Sequence, residues 1–427
     1  MYDYRFEEQN RVNFIVDMRS FYASLEIQSL GLDLLTTPLV VVSKRENDGS
    51  GLVMSASPAA KKIFGIKNVM RARELPRDSK LLIAEPRMEY YIQKNLQINE
   101  IFNRYAAFEQ IYPYSIDESL IDMTYSWKLF GINYREVASK IQTDIKKEIG
   151  INATIGIAPT LSLAKIALDI EAKNNVDHIA EWDFSQVPNK LWNISNLNQV
   201  WSIGKNTATK LNAMGIFNMY DLAHTDPQKL IKEFKSRGAT LFALAWGVDR
   251  SIINQEKKSK EHGIGNSQVL PKDYSNKQEI ELIIREITDH IIMRVRKRNT
   301  QINLISISGK YSMNVGGKFG KQKKLNHHTI NRNEIIAEII SLFKQVWNGK
   351  PVRIINIYVG GLKTINYEQG NLFESFKEEE KENEQQKIIN SIQAKFGFKS
   401  IFRASSKLEA GTALYRAGLV GGHKAKK

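Results

Sequence analysis

Three carboxylates stand where strands end. Asp17 closes the run Val-Asn-Phe-Ile-Val-Asp-Met over residues 12–18, and Asp117 and Glu118 sit between two later strand-like runs. Acids at strand ends on one open sheet face can hold hard divalent cations. Magnesium prefers oxygen ligands and keeps several waters, so two or three carboxylates suffice. Such ions neutralise charge on the attacking and leaving oxygens of a phosphoryl transfer, a reaction that asks little covalent help of the protein. Taken one by one, the acids read equally well as turn or cap residues. Taken together they suit metal-dependent phosphoryl transfer, and a nucleotide cyclase fits them as well as any other enzyme of that class.

The surrounding elements must bring the two acidic sites together. Residues 12–18 alternate as a strand, with Val12, Phe14 and Val16 on one face and Asp17 on the other. Ser20 predicts an N-cap for a short helix through Phe21, Tyr22, Leu25 and Glu26. Pro38–Ser43 reads as a strand and residues 44–51 as a polar turn. A strand pair is expected over residues 109–123, with Asp117 and Glu118 at its turn. Val137, Ile141, Ile145 and Ile149 recur every four positions, which predicts an amphipathic helix over 134–149 that Gly150 stops. Asn152–Ala158 reads as a strand, and 160–173 as a helix with Leu161, Ala164, Ile166 and Leu168. With an insertion at 27–88 set aside, the order is β-α-β-β-α-β. That order predicts an α+β fold with a ferredoxin-like sheet, helices on one face and the other face free. Its first and third strands are neighbours, so Asp17 can meet Asp117 and Glu118.

Farther along, residues 198–224 read as two short helices around Met214, Gly215 and Ile216, and residues 250–262 as a polar linker. A separate unit is expected over 263–365, with a strand at 302–308, a helix at 333–347 and a strand at 352–359. The charge run Lys377–Glu384 reads as a solvated tail or helix face. A chain of 427 residues has room for two to four domains. Its formal charge of +15 favours a polyanionic partner, nucleic acid first. Much of that excess is concentrated: residues 256–365 carry 20 Lys and Arg against 9 Asp and Glu. The absence of cysteine excludes disulfides, thiolate metal sites and cysteine nucleophiles. No apolar run approaches the ~18 residues of a membrane span. The polar start predicts no secretory signal, hence a cytoplasmic address.

Several motifs, in order, resemble those of the Y-family DNA polymerases. Val16-Asp17-Met18-Arg19-Ser20-Phe21-Tyr22-Ala23-Ser24 is similar to the family's opening motif, and Tyr114-Ser115-Ile116-Asp117-Glu118-Ser119 to its second catalytic motif. Leu163-Ala164-Lys165-Ile166-Ala167 through Ala172-Lys173-Asn174 resembles the stretch that ends the palm. Gly263-Ile264-Gly265-Asn266-Ser267-Gln268, with Pro271-Lys272-Asp273-Tyr274, is similar to the start of the little finger in the UmuC branch. So is the ending with Arg403-Ala404-Ser405-Ser406, Gly411-Thr412-Ala413-Leu414 and Gly421-Gly422-His423. UmuC-like UV-damage repair proteins of Gram-positive bacteria are the nearest likeness.

The resemblance implies a right-hand-like polymerase: palm at 1–26 and 89–180, fingers at 27–88, and a thumb with a helix-hairpin-helix at 181–250. A linker at 251–262, a little finger at 263–365 and a C-terminal tail at 366–427 would follow. It implies low-fidelity, template-directed translesion synthesis in SOS-type DNA repair, on primer-template DNA and deoxynucleoside triphosphates. Two magnesium ions would be held by Asp17, Asp117, Glu118 and the Met18 carbonyl. Tyr22, with Phe21 beside it, would be the steric gate against a 2′-hydroxyl, and Lys62 and Lys173 would hold the triphosphate. Arg19 stands where many relatives carry a second Asp, and Ala59 where some branches carry a Tyr, which loosens the match of Lys62. Gly204 and Lys205 would hold DNA phosphates at the thumb. Arg294, Arg296, Lys297 and Arg298, together with Lys318, Lys321, Lys323 and Lys324, would track the DNA backbone on the little finger. Gln369-Gly370-Asn371-Leu372-Phe373 resembles the Gln-x-x-Leu-Phe peptide that docks on the sliding clamp, with Gln369, Leu372 and Phe373 as its contacts. Accessory SOS subunits are the further partners implied. A non-catalytic DNA- or clamp-binding regulator that keeps the fold is the rival reading.

Overall fold

The computed structural model describes residues 11–43, 51–253, 263–364, 385, 388–389, 391–393 and 395–425. They form two compact units, one running through residue 256 and the other from 257 to 425.

The first unit is organised on β1 (Asn13–Met18), which pairs antiparallel with strands on both sides. The turn after it enters α1 (Phe21–Ser29). Ser20 does not cap that helix as expected. Its backbone is left-handed (φ 49°), its side chain makes no capping bond, and its hydroxyl instead accepts from Lys61. An inserted layer follows: β2 (Leu39–Val42), β3 (Val53–Ala56), α2 (Pro58–Phe64) and β4 (Leu82–Ala84), with a three-stranded sheet in the order β3-β2-β4. Val40, Val42, Val53, Ala60 and Ile66 form its small core. Ser57 caps α2 by accepting from the Ala60 amide, and Pro58 opens the helix, where a missing N–H costs nothing.

The chain returns through α3 (Met88–Phe102) to β5 (Ile111–Pro113) and β6 (Glu118–Asp122). Next come α4 (Tyr134–Ile149), β7 (Ala153–Ala158), α5 (Leu161–Ala167) and β8 (Ile179–Glu181). The sheet order β5-β6-β1-β7-β8 is the expected ferredoxin-like arrangement with β8 added in parallel beside β7. α4 buries the predicted stripe, starts at an Asn133 cap and ends at Gly150, whose φ of 81° suits glycine.

Two expectations change here. First, the predicted helix over 160–173 is α-helical only to Ala167; residues Leu168–Ala172 wind as a wider π turn, with the Lys173 amide bonded to the Leu168 carbonyl. Second, the sheet face carrying the acids is not free. Ile15 and Leu120 share one buried cluster with Leu161, Leu163, Ala164 and Leu168, so α5 lies on that face. Gly156 makes this approach possible. It pairs with Ile15 in register, and a Cβ there would stand 2.2 Å from the Ala164 carbonyl oxygen and 2.7 Å from Leu168 Cβ.

The same cluster continues into α6 (Lys205–Ala213), α7 (Met219–His224), α8 (Pro227–Phe234) and α9 (Ser236–Ala245), including the predicted short helices around Gly215. Among the described residues no helix is long and apolar enough to cross a membrane.

The second unit contains β9 (Gly263–Tyr274), α10 (Lys277–Lys297), β10 (Thr300–Tyr311), β11 (Lys318–Thr329), α11 (Arg332–Val346) and β12 (Val352–Gly360). The strands form an antiparallel sheet in the order β11-β10-β12-β9. Ile280, Ile283, Ile287 and Ile291 of α10 and Ile335, Ile339 and Phe343 of α11 pack on Ile305, Ile307, Ile355 and Ile357. Part of the expected C-terminal tail belongs to this core. The Thr412 amide and hydroxyl and the Ala413 amide all donate to Glu286 Oε2 of α10, at 2.8, 3.0 and 3.0 Å, and Ala410 is buried.

Gly156→Ala is expected to lower unfolding stability by about 3 kcal/mol, because backbone and a packed leucine must both move. Urea denaturation of the purified chain reads this directly; an unchanged midpoint would show that α5 is not seated so closely.

Candidate active site

Strand register brings the acids together. Asp17 is the direct partner of Glu118 across β1 and β6, and the Met18 amide donates to the Asp117 carbonyl at 2.8 Å. Glu118 is 8% exposed, and its Oε1 makes no hydrogen bond although Lys165 Nζ lies 2.8 Å from it as an ion pair. Asp117 is more open and accepts from the Ser115 hydroxyl at 2.6 Å.

Two lysines, Lys165 and Lys173, approach these acids from the helix above. Lys165 Nζ also lies 3.2 Å from Asp169 Oδ1. Lys173 Nζ lies 2.7 Å from the same Asp169 oxygen and 3.3 Å from Asp17 Oδ2. The result is a chain of alternating charge, Glu118–Lys165–Asp169–Lys173–Asp17. Sequence reasoning assigned Lys173 to the site but missed Lys165 and Asp169. The available signal was a lysine inside the apolar run Leu161–Leu168, where a solvated side chain has no place.

Burial dominates the electrostatics. Desolvation holds the Asp17 pKa above the ordinary carboxylate value despite Lys173, and Asp117 adds to the rise. Glu118 is likewise raised by burial, with Lys165 opposing and Asp17 adding to the effect. Lys173 loses to burial but gains more from Asp17 and Asp169, so its pKa rises. The Lys173–Asp17 pair therefore favours the charged lysine without compensating the buried carboxylate.

Tyr22 stands beside the acids. Its hydroxyl pKa is pushed up to about 12, by burial first and by Asp117 second. Its ring packs 4.6 Å from that of Tyr91 and 5.7 Å from that of the buried Phe21. Tyr91 is fully buried and donates to Glu26 at 2.6 Å, and Arg87 grips both oxygens of Glu26 at 2.9 and 2.7 Å. A bidentate pair of this kind fixes orientation as well as charge. Through it, Arg87 and Glu26 hold Tyr91, and Tyr91 supports Tyr22.

Lys62 does not share this setting. Lys61 and Lys62 are both exposed on α2, and it is Lys61 that reaches Ser20 Oγ, at 3.2 Å. Burial, then Lys173 and Arg19, lower the Lys61 pKa while Asp17 opposes them, so Lys61 is the α2 lysine facing the acids. Neighbouring helix positions differ by about 100°, and only one of the two lysines can face the sheet. Arg19 turns to His178, away from the acid set.

The other expected contacts divide. Gly204 and Lys205 are exposed at the start of α6, and a Cβ on Gly204 would meet nothing. Arg294 donates to the Gly265 carbonyl at 2.9 Å and Arg296 to that of Ile330 at 3.4 Å, so both brace their own unit; Lys297 and Arg298 close the same helix. Lys321 and Lys323 bend to Gln345 and Glu338 of α11, while Lys318 and Lys324 alternate to the opposite face of β11. Gln369, Leu372 and Phe373 lie outside the described residues.

Residues 16–169 match the impB/mucB/samB family, and residues 261–372 match the C-terminal domain of that family. Over 96% of both chains, the sequence is 36% identical to UvrX of Bacillus subtilis, whose name assigns it to UV-damage repair. The chain belongs to the UmuC-like branch of the Y-family DNA polymerases. DNA polymerase IV 2 of Bacillus subtilis is 32% identical over 97% of this chain and 99% of its own. In fold, the chain is similar to a chimeric Y-family DNA polymerase, with a TM-score of 0.66 over 83% of this chain and 99% of that one, at 23% identity. Among the described residues, no group of three or more His, Cys, Asp or Glu side chains is gathered closely enough to hold a metal ion. Lysines stand against Asp17 and Glu118, and Asp117 turns to Ser115.

Because the folded pKa values of Asp17 and Glu118 lie above their ordinary ones, the folded chain binds more protons than the unfolded one in the window just above about pH 4. Stability therefore falls as pH rises through that window, and at neutral pH both acids cost stability. Asp17→Asn and Glu118→Gln should each raise the thermal midpoint at neutral pH in EDTA by roughly 2 °C or more, with a smaller gain at pH 4. A lower midpoint at neutral pH would show that the lysine pairs outweigh burial.

Proposed function

We propose that this chain is a template-directed DNA polymerase of low fidelity, acting in translesion synthesis and DNA-damage repair by two-metal phosphoryl transfer. The observation that carries the reading is the register pairing of Asp17 with Glu118 beside Asp117, with two lysines poised against them. The chemistry of the donor set suits a hard divalent ion once the lysines yield and the acids draw together: every ligand would be oxygen, both buried acids are desolvated, and Glu118 Oε1 has no hydrogen bond. Asp17, Asp117, Glu118 and the Met18 carbonyl would hold two magnesium ions. Bound there, magnesium would neutralise charge on the attacking and leaving oxygens.

The protein's own groups do the rest. The primer 3′-hydroxyl gives its proton to solvent as its oxygen bonds to the α-phosphorus of a deoxynucleoside triphosphate, and the bond from that phosphorus to the departing pyrophosphate breaks. Lys173 and Lys61 offer cations to the triphosphate, in keeping with the electrostatic coupling of both to Asp17. Tyr22, backed by Tyr91, offers a flat ring under the sugar. The inserted layer over 27–88, the helical segment over 181–250 and the second unit over 263–365 serve as fingers, thumb and little finger. Exposed Gly204 and Lys205, Lys297 and Arg298, and the outward Lys318 and Lys324 would engage DNA phosphates without reading sequence, with binding that weakens as salt rises. Gln369, Leu372 and Phe373 would dock on a sliding clamp, and accessory SOS subunits are further candidate partners. The reading as a non-catalytic regulator is disfavoured because all three acids and their lysines are in place.

Primer extension with magnesium tests the assignment. Glu118→Ala is expected to slow nucleotide incorporation by about 10³-fold or more; robust extension by this variant would sink it. Tyr22→Ala is expected to admit ribonucleotides that the unaltered chain rejects. Unchanged sugar discrimination in single-turnover incorporation would remove Tyr22 from the gate.

A further inference from the structure

Asp169 lies at the centre of the charge chain and belongs to none of the roles above. It stands four residues after Lys165 and four before Lys173, and one of its oxygens meets both ammonium groups, at 3.2 and 2.7 Å. In an unbroken α-helix, residues eight apart are about 80° out of line. The π turn over Leu168–Ala172 takes up one extra residue, which removes most of that offset. Each lysine is an i,i+4 neighbour of Asp169, and the wide turn brings the two lysines closer to one helix face, from which they reach two different strands, Glu118 on β6 and Asp17 on β1.

This arrangement sets a problem for metal entry. A cation that takes Glu118 and Asp17 displaces both lysines from their partners. Lys165 is only 7% exposed, and a buried ammonium without a counter-ion is costly. We propose that Asp169 is a positioning residue for metal loading: it keeps a counter-ion on Lys165 and Lys173 as the divalent ion takes Glu118 and Asp17. With Asp169 neutral, the lysines would rely on Glu118 and Asp17 alone and compete with the metal for them. The inference rests on the metal-dependent reading above.

The test is binding of Mn²⁺ to the full chain, read by electron paramagnetic resonance without DNA or nucleotide. Asp17→Asn/Glu118→Gln serves as the control that removes the acids. The isosteric Asp169→Asn is expected to weaken Mn²⁺ binding by about tenfold, the scale of one partly buried ion pair, with an unchanged far-ultraviolet melting profile. The second arm separates action through the lysines from a general field effect or a helix staple. In a Lys173→Met background, Asp169→Asn should cost at most about a third of that factor, because one competitor is gone. Equal Mn²⁺ affinity of Asp169→Asn and the unaltered chain would overturn the inference alone, as would an undiminished loss in the Lys173→Met background. An unaltered chain that binds Mn²⁺ no better than the acid-free control would overturn the functional reading with it.

Discussion

The arrangement of the first unit depends on one constraint: carboxylates are placed where water is scarce. Asp17 ends a strand buried on both faces, and its register partner Glu118 opens the next. Neither acid can sit there alone without cost, and both carry raised pKa values because burial outweighs the nearby lysines. The local structure answers that cost. α5 must come close enough to deliver Lys165, so β7 carries Gly156 beneath it. The helix must also deliver Lys173 to another strand, so it opens into a π turn. Such compensation is partial, and a site left partly unneutralised is suited to receive a cation.

Rigidity follows the same logic one layer out. Among the described residues, no hydrogen bond or ion pair fixes the Tyr22 ring. Its position comes from Tyr91, which is fixed by Glu26, which is fixed by the Arg87 fork. These groups lie far apart in the chain, and the entire inserted layer separates Glu26 from Arg87. The insertion is therefore tied at its two ends by one half-buried ion pair. Changes within it can leave the ring's support intact.

What was legible in the sequence tracks how local the cause is. β1, α4 and β12 announce themselves by apolar period, because each packs a regular stripe against one core. The pairing of Asp17 with Asp117 and Glu118 was legible as topology, since the strand order makes their strands neighbours. The flanking motifs identified the family. β11 was not legible: its lysine-rich stretch has no apolar alternation, since Phe319 and Leu325 alone supply its core contacts. α10 was overlooked although its isoleucines recur at helical spacing. Lys61 could not be separated from Lys62 by motif, because the choice depends on which way α2 faces. Asp169 lies at the helical i,i+4 spacing from both lysines, so that triad was open to spacing, but the acids the lysines reach, Glu118 and Asp17, lie on other strands.

The second unit shows why charge counting and charge placement are different arguments. Its excess of basic residues predicts a polyanion partner, yet a strand divides its lysines between two faces. Lys321 and Lys323 are spent on Gln345 and Glu338 of α11, and Arg294 and Arg296 on carbonyls of their own unit. The positions left outward on β11 and its neighbour β10 are Lys318, Lys324 and Lys310, with Gln322, Ser306 and Ser308 between them. Two register pairs, Lys310–Lys318 and Leu304–Lys324, therefore carry the cations toward the two ends of this face. Charges so spaced suit contacts separated along a phosphate backbone, while the short hydroxyls and Gly320 between them leave room for the backbone itself to approach. The net charge of the unit is then a poor guide to how many cations face outward: on β10 and β11 these are Lys310, Lys318 and Lys324.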